Sequence, residues 1–196
     1  MLEPDLLNYQ MTSEHDYMLK PSDISKLESS NVIFYIDNDL ETFVKTFDRN
    51  GKRLVQLSSA VTLLPSRPHS FSNTFTNTHA EKDLHIWLSP ENAKLMILFI
   101  SAILSDIDQE NSSKYHHNAM QAIEKIDKKM KALVRELNNF KDQKYAVTHD
   151  AYQYFEQYFG LRTPSVILDI EEDSYISMKS LMELKKMIKE ENIKCI

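Results

Sequence analysis

The sequence predicts an α/β protein of two lobes with a long connecting helix, and three observations carry that prediction. Short runs of strand-forming residues, such as "NVIFYI" at 31–36, alternate with helical patterns. One apolar stripe, Ala119, Ile123, Ile126, Met130, Leu133, Leu137 and Phe140, recurs at alternating spacings of four and three. That pattern makes a single helix of about eight turns within residues 112–140. Beyond it the strand–helix alternation resumes, dividing the chain into an N-terminal lobe (1–108), a connecting helix (109–143) and the start of a second lobe (144–196).

Taken in order, Lys20-Pro21-Ser22-Asp23 opens a short helix through Leu27, on capping grounds. "NVIFYI" is a near-continuous apolar run, as expected of a strand covered on both faces. Leu40, Phe43, Val44 and Phe47 have helical spacing, Asn50-Gly51 is a turn, and "RLVQL" is a second short strand. Residues 65–82 are rich in Ser, Thr, Asn and Pro without periodicity, an exposed loop that is either functional or disordered. "LHIWL" at 84–88 reads as a short buried strand, and Ser89-Pro90-Glu91 then starts a helix over 90–105. The long helix follows; its alternative reading as a coiled coil requires a partner. Next come a strand at Tyr145–Val147, a helix from about Asp150 to Phe159 closed by Gly160, and a strand in "SVIL". A Lys- and Glu-rich helix at 177–191 and a further strand beginning in "IKCI" end the chain, which leaves the second lobe incomplete.

Composition bounds the chemistry. Only two glycines, Gly51 and Gly160, are present, which excludes a glycine-rich phosphate cradle. Basic residues are interspersed with acids and the net charge is −6, so no basic face points to nucleic acid. The single cysteine, Cys195, allows neither an internal disulfide nor a cysteine-based zinc motif, so any metal must be held by histidine and carboxylate. The most apolar run, Leu95 to Leu104, is too short to span a bilayer and carries Ser101. The N-terminus lacks a basic start followed by an apolar run, so as written it carries no secretory signal.

Three histidines share one local grammar. His15 precedes a helix in "SEHDYMLKPSD", His85 sits at a strand end before a helix in "DLHIWLSPEN", and His149 does the same in "YAVTHDAYQYF". His85 alone would read as a core histidine with one hydrogen bond. Three together at strand ends, where ligands of open α/β sheets bind, are better explained by a shared ligand. Neutral imidazoles suit zinc, and tetrahedral coordination leaves one position for a carboxylate or water. Glu14 could supply that oxygen or be a solvated acid. Asp16 and Asp150 could cap the next helix, the plainer role, or hold an imidazole tautomer. His69 and His79 lie in the 65–82 loop as an auxiliary metal-recruiting pair. His116 and His117 fall on the solvated side of the long helix.

At these motifs the chain closely resembles the zinc-binding, solute-binding subunits of bacterial ABC importers, the metal-specific cluster of periplasmic binding proteins. "EHDYMLKPSDISKLESSNVIFYIDNDLETF", "DLHIWLSPENAK" and "YAVTHDAYQYFEQYFGL" match its three metal-ligand motifs in order. The resemblance implies a two-lobe periplasmic-binding-protein fold, with the first strand–helix unit missing from the N-lobe and the C-lobe truncated. It implies capture of zinc in the periplasm by a monomer and delivery to a membrane permease, with His15, His85 and His149 as ligands. Manganese-type relatives usually carry a carboxylate at the third position, so a histidine there favours zinc over a manganese or iron cargo. The 65–82 loop falls where zinc-type members carry a histidine-rich insertion, here short and poor in histidine. Some zinc-type members pair a cysteine near Cys195 with a later one.

Two other classes compete. A zinc hydrolase would use the same donors with Glu14 or Asp150 as general base, but no His-Glu-x-x-His motif is present. A nonfunctional fragment would expose sheet edges and aggregate.

Overall fold

A computed structural model of the chain describes residues 4–7, 19–50, 53–67, 82–167, 178–193 and 195. They belong to two compact units, Met1–Thr62 and Leu63–Ile196.

In the first unit, helix α1 (Pro21–Ser29) starts where the sequence predicts, with proline in its first turn and the Asp23 carboxylate accepting the Lys20 backbone N–H at 2.9 Å. Strands β1 (Val32–Tyr35) and β2 (Arg53–Gln56) pair in parallel, Val32 opposite Arg53 and Tyr35 opposite Gln56. The crossover between them is helical, but residues 42–50 wind as a 3₁₀ helix. Thr42, Val44 and Thr46 are β-branched and lose side-chain freedom in an α-helix, which weakens that alternative. Leu27, Ile33 and Phe47 form the buried core, with Phe43 and Leu54 packed against it. Just past β1, the buried Glu41 carboxylate accepts the backbone N–H groups of Ile36 and Asp37. Burial raises its pKa against the pull of those two bonds.

In the second unit, helix α2 (Pro90–Ile107) begins at Ser89, whose hydroxyl accepts the Asn92 N–H at 3.2 Å. At its far end the Asp108 carboxylate accepts hydrogen bonds from Asn111 and Tyr115, fixing the turn into α3 (Ser112–Leu137). The two helices pack as a hairpin with Met96, Ser101 and Ala119 as their buried apolar and small residues. Lys94 ties them further, donating to Glu91 on its own helix and to Asp127 on α3. Those hydrogen bonds push its pKa up to about 12.

After α3, strands β3 (Ala146–Val147) and β4 (Val166–Ile167) pair in parallel. On the opposite edge of β3 the Ala146 N–H donates to the Cys195 carbonyl at 3.0 Å, a backbone bond where the sequence predicts a further strand to begin. Helix α5 (Met178–Glu190) covers this sheet, packing Leu184, Leu181, Met187 and Ile188 with Ala146 and Val166. Helix α4 (Gln153–Phe159) stops at Gly160, which adopts φ +64° and donates its N–H to the Glu156 carbonyl.

Only glycine adopts that cap without steric cost, and the nearest atom to an added Cβ would be Lys141 Cε at 4.0 Å. Gly160→Ala is therefore expected to cost roughly 1 kcal/mol through backbone strain alone, read as a lower denaturant midpoint with an unchanged slope.

Candidate metal centre

The centre starts from a contact between the two ends of the 65–82 segment. Pro65 and Lys82 form an antiparallel bridge and the Asp83 N–H donates to the Leu64 carbonyl at 2.9 Å. Tyr154 of α4 closes this junction. Its hydroxyl donates to the Asp83 carbonyl at 2.7 Å and accepts the Leu64 N–H at 2.9 Å.

The chain then turns sharply. Asp83 Oδ1 accepts both the backbone N–H of His85, at 2.9 Å, and its imidazole Nδ1, at 2.8 Å. Asp83 Oδ2 accepts from Gln153 Nε2, which also donates to the Pro65 carbonyl. The predicted strand at 84–88 does not form. Ile86 N–H donates to Leu84 and Leu88 N–H to His85, so these donors are used locally and 86–88 wind as a 3₁₀ turn. His85 therefore sits in a turn rather than at a strand end. Asp83, His85 and Ile86 are all buried.

Burial raises the Asp83 pKa, but the hydrogen bonds from His85 and Gln153 outweigh it and hold the carboxyl below its usual range. An ionised Asp83 places a proton on His85 Nδ1. In the neutral ring the lone pair is then on Nε2, the atom a metal would take.

His149 lies between β3 and α4, at a bend just past the strand. Its Nε2 stands 2.9 Å from His85 Nε2, with the rings edge to face at 78°. One of two facing nitrogens must carry a proton, and with the lone pair on His85 it is His149 that donates. An ion in place of that proton would use both lone pairs. Zinc–nitrogen bonds of about 2.0–2.1 Å in a tetrahedron separate two nitrogens by roughly 3.3 Å, so the rings need only a few tenths of an ångström of separation.

Asp150, the residue after His149, belongs to a part-buried ion network. Arg67 donates from Nε to both Asp150 oxygens at 2.9 Å, and from Nη1 and Nη2 to Glu156 at 2.6 and 3.0 Å. Burial opposes the guanidinium charge, but the bonds to Glu156 and Asp150 prevail and raise its pKa. Burial and the Glu156 charge likewise raise the Tyr145 phenol. Asp83, Asp150 and Glu156 set three carboxylates against one guanidinium, a negative surrounding that favours a cation.

The structure thus joins two sequence-predicted ligands that lie 64 residues apart. His15, Glu14, Asp16, His69 and His79 lie outside the described residues. His116 and His117 are exposed on α3. Asp150, predicted to cap a helix or hold an imidazole, takes Arg67. Among the described residues, no group of three or more His, Cys, Asp and Glu is placed to hold one metal ion. Sequence reasoning missed Asp83, Arg67, Gln153, Tyr154 and Glu156. Only Asp83 left a signal, the Asp-x-His spacing of a side-chain-to-backbone turn.

Tyr154→Phe removes one bond to each of two junction groups and is expected to cost about 1–3 kcal/mol. Faster amide exchange at Leu64 would locate that loss.

Solved proteins that share this fold include metal-bound and metal-dependent ones. Zn(II)-bound AdcA from Streptococcus pneumoniae superposes with a TM-score of 0.75 at 25% identity, over 93% of this chain and 38% of that one. The metal-dependent lipoprotein YcdH from Bacillus subtilis gives 0.75 at 24% identity, over 97% and 68%. Residues 2–196 match the model of one family, and the chain belongs to it: ZnuA, zinc-uptake complex component A, periplasmic. The high-affinity zinc uptake system protein ZnuA of Brucella abortus strain 2308 is 30% identical, over 84% of this chain. The chain spans 60% of that relative's length.

Proposed function

We propose that the chain binds zinc as cargo for an ABC importer, with His85 and His149 as imidazole ligands and His15 and Glu14 as further donors. Capture takes place outside the cytoplasmic membrane, the chain acts as a monomer, and the ion passes to a membrane permease. His69 and His79 recruit metal to the centre.

The observation that carries this reading is the pair of imidazole Nε2 atoms facing one another at 2.9 Å. Apposed imidazoles need either a shared proton or a shared cation. Asp83 fixes one ring so that its lone pair faces the other. Imidazole donors suit zinc better than calcium or magnesium. The family's printed name and the zinc named for its Brucella and Streptococcus relatives support the same cargo. The family is named for uptake rather than for a reaction, and zinc is accordingly read as transported rather than catalytic. No helix among the described residues is long and apolar enough to cross a membrane.

Equilibrium dialysis of the purified chain tests the proposal and is expected to give one zinc per chain. Removing a partner that merely orients a ligand costs about 10–100-fold in metal affinity. His85→Ala and His149→Ala should each exceed that loss, and His15→Ala should follow them. Zinc at about 100 times its Kd should stabilise the native state by about 2.7 kcal/mol, read as a raised melting temperature. Binding unchanged in the His85 and His149 variants would refute the site.

A further inference from the structure

The two imidazoles are held in different ways. His85 is oriented within three residues, because Asp83 bonds both its backbone N–H and its ring. His149 stands in the connection 148–152 between β3 and α4, where the backbone has no regular structure. What fixes that connection comes from far away in sequence.

Arg67 offers no lone pair and cannot be a metal ligand. Its side chain is mostly covered, and it meets the connection at two points: Asp150, the residue after His149, and Glu156, one turn into α4. The Asp150 carboxylate takes Nε and Nη2, while Glu156 takes Nη1 and Nη2. All five N–H groups of a guanidinium lie in one rigid plane, so carboxylates bound to two of its edges hold a fixed separation and direction. Without the cation, two buried carboxylates would repel and draw water, moving the backbone next to His149. A displacement of one ångström would break the 2.9 Å contact between the rings.

We propose that Arg67 is a positioning residue of the imidazole pair. By clamping Asp150 to Glu156 it sets where His149 Nε2 stands against His85. The assignment rests on reading the pair as zinc ligands, but the placement of the ring can be measured without metal.

Two substitutions in the full chain, Arg67→Lys and Arg67→Met, test it. Lysine keeps the charge and loses the planar fork; methionine loses both. Adding Glu156→Gln to Arg67→Met removes the excess buried charge if that variant does not fold. Two quantities are read: zinc affinity by competition with a chromogenic chelator, and imidazole ¹⁵N shifts of the zinc-free chain. Both substitutions should weaken zinc about 10–100-fold, the range for residues that orient a ligand. They should also shift both His149 nitrogens and the facing Nε2 of His85, while His85 Nδ1, held by Asp83, stays in place.

A folded Arg67→Lys chain with unchanged imidazole shifts and affinity would overturn the proposal, whatever its melting temperature. A parent chain that fails to retain zinc would instead refute the proposed function. In that case the zinc-free spectra alone still decide the role of Arg67.

Discussion

Two imidazole nitrogens 2.9 Å apart cannot both carry a proton or both present a bare lone pair without repulsion, so their surroundings must settle which one donates. Much of the second unit is arranged around that constraint. Asp83 settles the protonation of His85 from below, and Gln153 and Tyr154 hold Asp83 and its backbone in turn. These last two come from α4, the helix that follows His149, so one element buttresses both halves of the pair. The α4 start, the β3 end and the Leu64–Asp83 junction therefore form a single hydrogen-bonded block. Local loosening at any of these places would be felt at the rings.

The charge arrangement adds a second layer. A lone cation buried against two carboxylates costs desolvation energy that an apolar core would avoid. Arg67 nevertheless occupies this place, with Asp150 and Glu156 on two edges of its guanidinium. The negative charge left over stands next to the imidazoles, since Asp83 bonds His85 and Asp150 follows His149. A divalent ion would meet both suitable donors and a favourable field there, which accords with the zinc named in the family's description.

Much of this fold was legible in the sequence because its helices carry strong local signals. Ser89-Pro90 begins α2, Gly160 ends α4, and the stripe from Ala119 to Leu137 identifies α3. Proline, glycine and apolar periodicity act over a few residues and need no tertiary context. The stretch 84–88 was misleading for the opposite reason. Leu84, Ile86 and Leu88 alternate like a strand, but no neighbouring strand takes their backbone donors, and the preceding aspartate draws the chain into a turn. At the site, the histidines could be read from their repeated context, whereas Arg67 and Glu156 could not. They lie 89 residues apart, and each alone looks like an ordinary surface charge until the fold brings them together.

The tripeptide Asp83-Leu84-His85 has a wider consequence. Its carboxylate, amide and ring close on one another within three residues, so the imidazole takes its direction from the nearest part of the chain. A substitution elsewhere reaches this ring chiefly through Gln153 and Tyr154, the two side chains that grip its aspartate.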